Sequence, residues 1–148
     1  MSRPIPKRLL VHQATLFNYT GESEGKATYA VTVLNDVRIE TARGVSYDGE
    51  GNRPLDQFTL FIDAVNSYAS DEKNYVEPKD FTGENGWTLN DKGNDLFIMG
   101  ETSVNINEAG VSALRDAHEV FQVQAVKKLY GSTSSLHHFE VRGGGFLR

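Results

Sequence analysis

Apolar and polar residues alternate with a period of two along much of this chain, as in strands with one buried and one wet face. The longest such stretch runs from Lys26 to Glu40. Ala27, Tyr29, Val31, Val33, Val37 and Ile39 hold its odd positions, and Lys26, Thr28, Thr32, Asp36, Arg38 and Glu40 its even ones. This predicts a strand with the odd residues inside, interrupted at Asn35-Asp36 by a bulge or a change of partner. Leu9 to Tyr19 predicts a first strand, ended by Asn18-Tyr19-Thr20-Gly21. Phe58, Leu60, Ile62 and Ala64 predict another, and Asp95 to Glu101 a short apolar one closed by Gly100.

Glu119 to Arg148 reads as a β-hairpin. Phe121, Val123 and Ala125 alternate with Gln122 and Gln124, Tyr130-Gly131-Ser132-Thr133-Ser134 turns the chain, and Leu136 to Arg142 returns. On the return, His137, Phe139 and Val141 share one face and His138, Glu140 and Arg142 the other. Gly143-Gly144-Gly145 ends the strand and opens a tail over 143–148. One helix is predicted over about 107–117, capped by Asn107, with Val111 and Leu114 on one face and Gly110 and Ser112 weakening it. Tyr47–Asp56 and Asn66–Asn74 read as long polar loops, and residues 1–8 as an arm. The expected fold is mainly β: a small barrel or sandwich of antiparallel strands with one short helix, in a single domain over 1–148.

The 148 residues, 39% hydrophobic with eight Phe, six Tyr and one Trp, suffice for a packed core. There is no cysteine, so disulfides and thiolate metal sites are excluded. A net charge of -5 argues against phosphate binding by the whole surface, although Arg3, Lys7 and Arg8 cluster near the start. No stretch reaches the roughly 18 apolar residues of a membrane helix, and no apolar run follows the basic start, so a cytoplasmic product is expected.

No catalytic constellation emerges, and an enzyme is not expected. Gly21-Glu22-Ser23-Glu24-Gly25 has the spacing of a nucleophile elbow but leads into no helix, and reads as a turn. Gly143-Gly144-Gly145 lacks the helix that would hold a phosphate. Asp48-Gly49-Glu50-Gly51-Asn52 lacks the rest of a calcium loop. His118, His137, His138 and Glu140 come nearest to a metal cluster. Alternation points His137 and His138 to opposite faces, and His138 and Glu140, about 7 Å apart, have no third ligand at suitable spacing. No metal and no cofactor are expected. The row His138, Glu140 and Arg142 reads instead as a surface for subunit contact.

One ordered set of motifs is distinctive: Tyr75-Val76-Glu77-Pro78-Lys79-Asp80-Phe81, then Trp87-Thr88-Leu89, then Asp95-Leu96-Phe97-Ile98-Met99-Gly100-Glu101. Phe121-Gln122-Val123 through Gly131-Ser132 to His137-His138-Phe139-Glu140-Val141 completes it. In this order the chain resembles the minor capsid proteins of tailed bacteriophages, components of head completion or of the head–tail connector. The resemblance spans roughly half the chain, and a longish insert from Ser103 to His118 departs from it.

The resemblance implies a small β-barrel that forms a homo-oligomeric ring in the virion neck. Its implied neighbours are a portal or adaptor protein on the head side and a tail-completion or tail-tube protein on the other. DNA would only pass through the channel, which a stopper loop closes in one class of these proteins. Asp48, Glu50, Arg53, Tyr68 and Asp71 are then candidates for contact with adjacent rings. An acidic lumen would not grip passing phosphate, which suits the charge. A tail terminator or other tail ring protein is the nearest alternative. A small-ligand or carbohydrate-binding barrel using Tyr75, Phe81 and Trp87 is another.

Overall fold

The structure is a computed structural model that describes residues 7–42, 45–48, 51–54, 57–92, 94–130 and 136–145. Among the described residues nine strands follow in chain order: β1 (His12–Ser23), β2 (Lys26–Ala42), β3 (Val45–Asp48), β4 (Gly51–Pro54), β5 (Gln57–Asp63), β6 (Tyr68–Ala69), β7 (Leu96–Met99), β8 (Phe121–Tyr130) and β9 (Leu136–Gly145). One α-helix among the described residues, α1 (Ile106–Ala117), lies between β7 and β8. Seven strands form one antiparallel sheet in the order β1-β7-β8-β9-β5-β2-β6. Because β1 also pairs with β2, six of them close into a ring, with β6 attached to β2. The mainly β expectation holds.

Turn chemistry sets the tight connections. Glu24 and Gly25 both have positive φ (54° and 80°) between Ser23 and Lys26, as a two-residue mirror-image turn requires. The Gly21–Gly25 segment is therefore a hairpin tip. The expected loop Tyr47–Asp56 instead contains β3 and β4, paired from Val45↔Pro54 to Asp48↔Gly51. Only two positions separate the paired ends, the spacing of a tight hairpin, which the turn-rich composition concealed. Two-residue β6 likewise lies within the expected loop Asn66–Asn74.

Four register shifts interrupt the described ladders, one of them at Thr20 in β1, and such shifts reverse the phase of the alternation. His12 pairs with Val37 and Gln13 with Asn35, so Asp36, at φ 54°, is an extra residue in β2. Beyond it Val37 and Ile39 are buried as expected, but before it Thr32 and Leu34 are inside and Val31 is exposed. A shift of one residue exchanges the two faces. Gln124 is the extra residue in β8, between Val123↔Gly143 and Ala125↔Arg142, and it turns Ala125 outward. His137 is the extra residue in β9, between Leu129↔His138 and Tyr130↔Leu136.

The ring encloses the main core, built around Leu16, Leu34, Phe58, Leu60, Phe97 and Val141. A second cluster lies outside β1 and β7, where Phe17, Leu96 and Ile98 meet Ile106 and Leu114 of the helix. These two strands are covered on both sides, which explains the apolar run Leu96-Phe97-Ile98 of β7 and the unbroken burial of residues 14–18 in β1. Val111 packs against this cluster as expected, but the cap is Asn105, whose side chain accepts from the N–H groups of Asn107 and Glu108. Asn107 instead reaches β2: its Oδ1 accepts from Tyr29 N–H (2.8 Å) and its Nδ2 donates to Tyr29 C=O (2.9 Å). Gly110 breaks the helical geometry at φ 86°. The glycines expected in the tail belong to the wall: β9 continues through Gly145, and Gly143 and Gly144 are buried. Residues 146–148 lie outside the described residues, as do residues 1–6 of the expected arm and 131–135 of the hairpin loop.

Candidate functional site

The expected contact row lies on the outer wall, where β9 runs between β5 and β8. Glu140 pairs with Phe61 and Lys127, and Arg142 with Thr59 and Ala125. Only Arg142 is exposed; the His138 and Glu140 side chains retain 14% and 32% of their accessible surface. His138 Nε2 lies 3.6 Å from Glu140 Oε1 and its ring 6.3 Å from that of Phe61. With Leu9, Arg38 and Glu40, the His138 and Phe61 side chains line a shallow cavity of about 210 Å3. The histidine rings do not diverge as alternation requires. Their Nδ1 atoms are 2.7 Å apart, and the bulge at His137 is the cause. One ring donates and the other accepts. His137 Nε2 is buried and has no hydrogen-bond partner. Among the described residues no group of three His, Asp or Glu side chains is placed to hold a metal ion. His118 is elsewhere, with its Nε2 2.8 Å from Thr102 Oγ1.

The candidate loop residues separate. Asp48 and Arg53 belong to the β3–β4 hairpin, and Glu50 lies outside the described residues. Tyr68 is in β6 and is 57% exposed; Asp71 is exposed and pairs with Lys73 (3.5 Å). Tyr68 lines a cavity of about 390 Å3 at the end of the ring where β5 turns into β6. Tyr75, Trp87 and Phe139 form aromatic walls, with Asp63, Glu72 and Lys73 also in the lining. Tyr75 stands 4.7 Å from Phe139 and 5.2 Å from Trp87, centroid to centroid. Trp87 is 6% exposed and belongs to the core, and Phe81 does not line the cavity. The aromatic platform of the sequence reading is thus reduced to Tyr75 and Trp87, joined by Tyr68 and Phe139. Tyr68 and Phe139 were not foreseen in this role, because β6 brings Tyr68 alongside through pairing with Leu34 and Asn35.

A model of one protein family matches residues 9–144, a span that holds every strand of the ring except the final residue of β9. The chain belongs to DUF6751, a family of unknown function. No curated protein and no solved structure gave a significant match.

Two polar arrangements brace this DUF6751 chain. Asp95 is buried, and its carboxylate accepts from Asn18 Nδ2 (2.8 Å), Tyr19 N–H (2.9 Å) and Asn90 N–H (3.0 Å). Asn18 Nδ2 also donates to Thr88 C=O (2.7 Å), so the knot pins residues 88–90 to β1. Desolvation holds the Asp95 carboxyl above its ordinary range despite those donors. On the other side of Trp87, Lys128 Nζ donates to both oxygens of Glu77 and lies 5.7 Å from the Tyr75 ring centre. That bond lowers the Glu77 pKa and raises that of Lys128; burial raises Tyr75. Asp95 is enclosed by its donors, and Glu77 and Lys128 hold each other at the partly solvated edge of the fold, so both arrangements act as braces. Nothing in the sequence marked Asn18 or Asp95 as partners, since 77 positions separate them.

Proposed function

We propose that this chain is a structural subunit of the tailed-phage neck, a head-completion or connector ring between portal and tail. Its support is the resemblance carried by Tyr75–Glu101 and Phe121–Val141, together with one observation. Those separated segments pack into one unit: Tyr75 and Trp87 stack against Phe139, and Glu77 clasps Lys128. The motif residues are thereby the framework of one wall. In this reading the strip His138, Glu140 and Arg142 meets the neighbouring copy, and the β3–β4 hairpin with Tyr68 and Asp71 meets the rings above and below. DNA only passes through the assembled channel.

Mass spectrometry and cryo-electron microscopy of mature particles test this. The protein should be present in multiple copies at the neck, and Arg142→Glu should reduce its incorporation without unfolding the chain. Absence from mature particles overturns the reading; a location at the tail end converts it to a tail terminator.

A second reading, binding of a small ligand, draws on the aromatic cavity. Its volume of about 390 Å3 falls within the roughly 300–1,000 Å3 usual for ligand sites.

A further inference from the structure

We propose that the cavity beside Trp87 binds an organic cation, an ammonium or guanidinium group on an apolar stem. The inference rests on the small-ligand reading and names its ligand class. The walls come first. Tyr75 meets Trp87 at 67° and Phe139 at 51°, and Trp87 meets Phe139 at 64°, so the three rings pack on one another as a single aromatic group that lines the cavity. Aromatic faces carry negative potential, and such enclosures favour cations over neutral groups of the same shape. Tyr68, exposed at the rim, adds a further ring.

Charge points the same way. The lining contains two carboxylates, Asp63 and Glu72, against one base, Lys73. The Lys73 ammonium is already paired with Asp71 outside the lining. Asp63 is buried and its Oδ2 accepts from the N–H groups of Val65 and Asn66 (3.0 and 2.7 Å), which leaves Glu72, exposed at the edge, as the carboxylate that meets a ligand. The chain also supplies its own precedent. The Lys128 ammonium, held by the Glu77 carboxylate, lies 5.7 Å from the centre of one of these rings, Tyr75. The cavity likewise has aromatic rings and a carboxylate, Glu72, in its lining. Its volume admits a quaternary ammonium or a whole aminoalkyl chain.

Trp87 is the single tryptophan, so its emission reports on the cavity alone. The full chain is titrated with choline, Nα-acetyl-lysine amide, Nα-acetyl-arginine amide and 3,3-dimethyl-1-butanol, the neutral shape-match of choline, with ligand-observed NMR in parallel. At least one cation should saturate with a Kd between about 0.1 and 10 mM, and the neutral alcohol should bind roughly tenfold more weakly. Glu72→Gln should weaken the cation by about three- to tenfold with an unchanged melting temperature. Tyr68→Phe should retain binding and Tyr68→Ala lose much of it. Preference for choline identifies a free ammonium compound, and preference for the amino-acid amides a side chain from a protein segment; both support the proposal. Equal binding of the alcohol overturns the cation while leaving the small-ligand reading intact. No saturable binding of any probe overturns both.

Discussion

Replacing Gly143 with alanine tests whether the C-terminal glycines are wall or tail. A Cβ at Gly143 would stand 2.8 Å from Phe97 Cε1 and 2.9 Å from the Gln122 carbonyl oxygen. Phe97 is fully buried, with its ring centre 5.3 Å from that of Phe121, and Gln122 belongs to the β7–β8–β9 ladder. Neither atom can yield without moving the core or the sheet. Overpacking of this kind costs about 1–3 kcal/mol. Alanine restricts the unfolded chain and returns about 0.4–1 kcal/mol, leaving a net loss of about 1–2 kcal/mol. At roughly 2–4 °C per kcal/mol for a chain of this size, the melting temperature should fall by about 2–8 °C. Gly144→Ala is the control. Its Cβ would meet only the amide end of Gln124, at 2.6 Å, and that exposed side chain can swing away. Its effect should stay within about 0.5 kcal/mol. Urea and thermal unfolding of both variants decide. If Gly143→Ala is as stable as the parent, or Gly144→Ala is the costlier, the packing account of β9 is wrong.

Other variants probe the braces. Asp95→Asn directs an amide NH2 at N–H donors and should cost about 1–3 kcal/mol at neutral pH by urea denaturation. Because burial raises the folded-state pKa of Asp95, its own contribution improves as pH falls from that raised value toward 3.8. The gap between parent and Asp95→Asn should therefore widen on acidification; a narrowing gap refutes the assignment. Glu77 has the opposite sign, since its folded-state pKa is lowered and its contribution is lost as pH drops through that value. Lys128→Met should cost no more than about 1 kcal/mol, the pair being partly solvated, and should flatten the acid limb of the stability profile. Asn105→Ala should lower stability by about 1 kcal/mol through loss of the cap, measured by chemical denaturation.

The strands of the ring were legible because half-buried strands write their period into the sequence. Their phase was not, because a bulge changes phase without changing composition. Asp36 inverts one half of β2, so that Thr32 is inside and Val31 outside. His137, the unpaired residue of β9, brings together two rings that strict alternation separates. The row His138, Glu140 and Arg142 was placed on the correct face, but how far Phe61 and Leu9 cover His138 depends on strands far away in sequence. The cavity was hidden for the same reason: Tyr68, Trp87 and Phe139 meet only after β2, β5, β6 and β9 have assembled.

The bond between Asn107 and Tyr29 bears on solubility. From Lys26 to Thr32, the described pairings give β2 only one neighbouring strand, β1, so its other margin is a potential template for a foreign strand. Asn107 occupies the N–H and C=O of Tyr29 on that margin with its own amide, imitating a strand partner one residue long. Where it docks, the helix therefore blocks that margin at Tyr29 against an added strand.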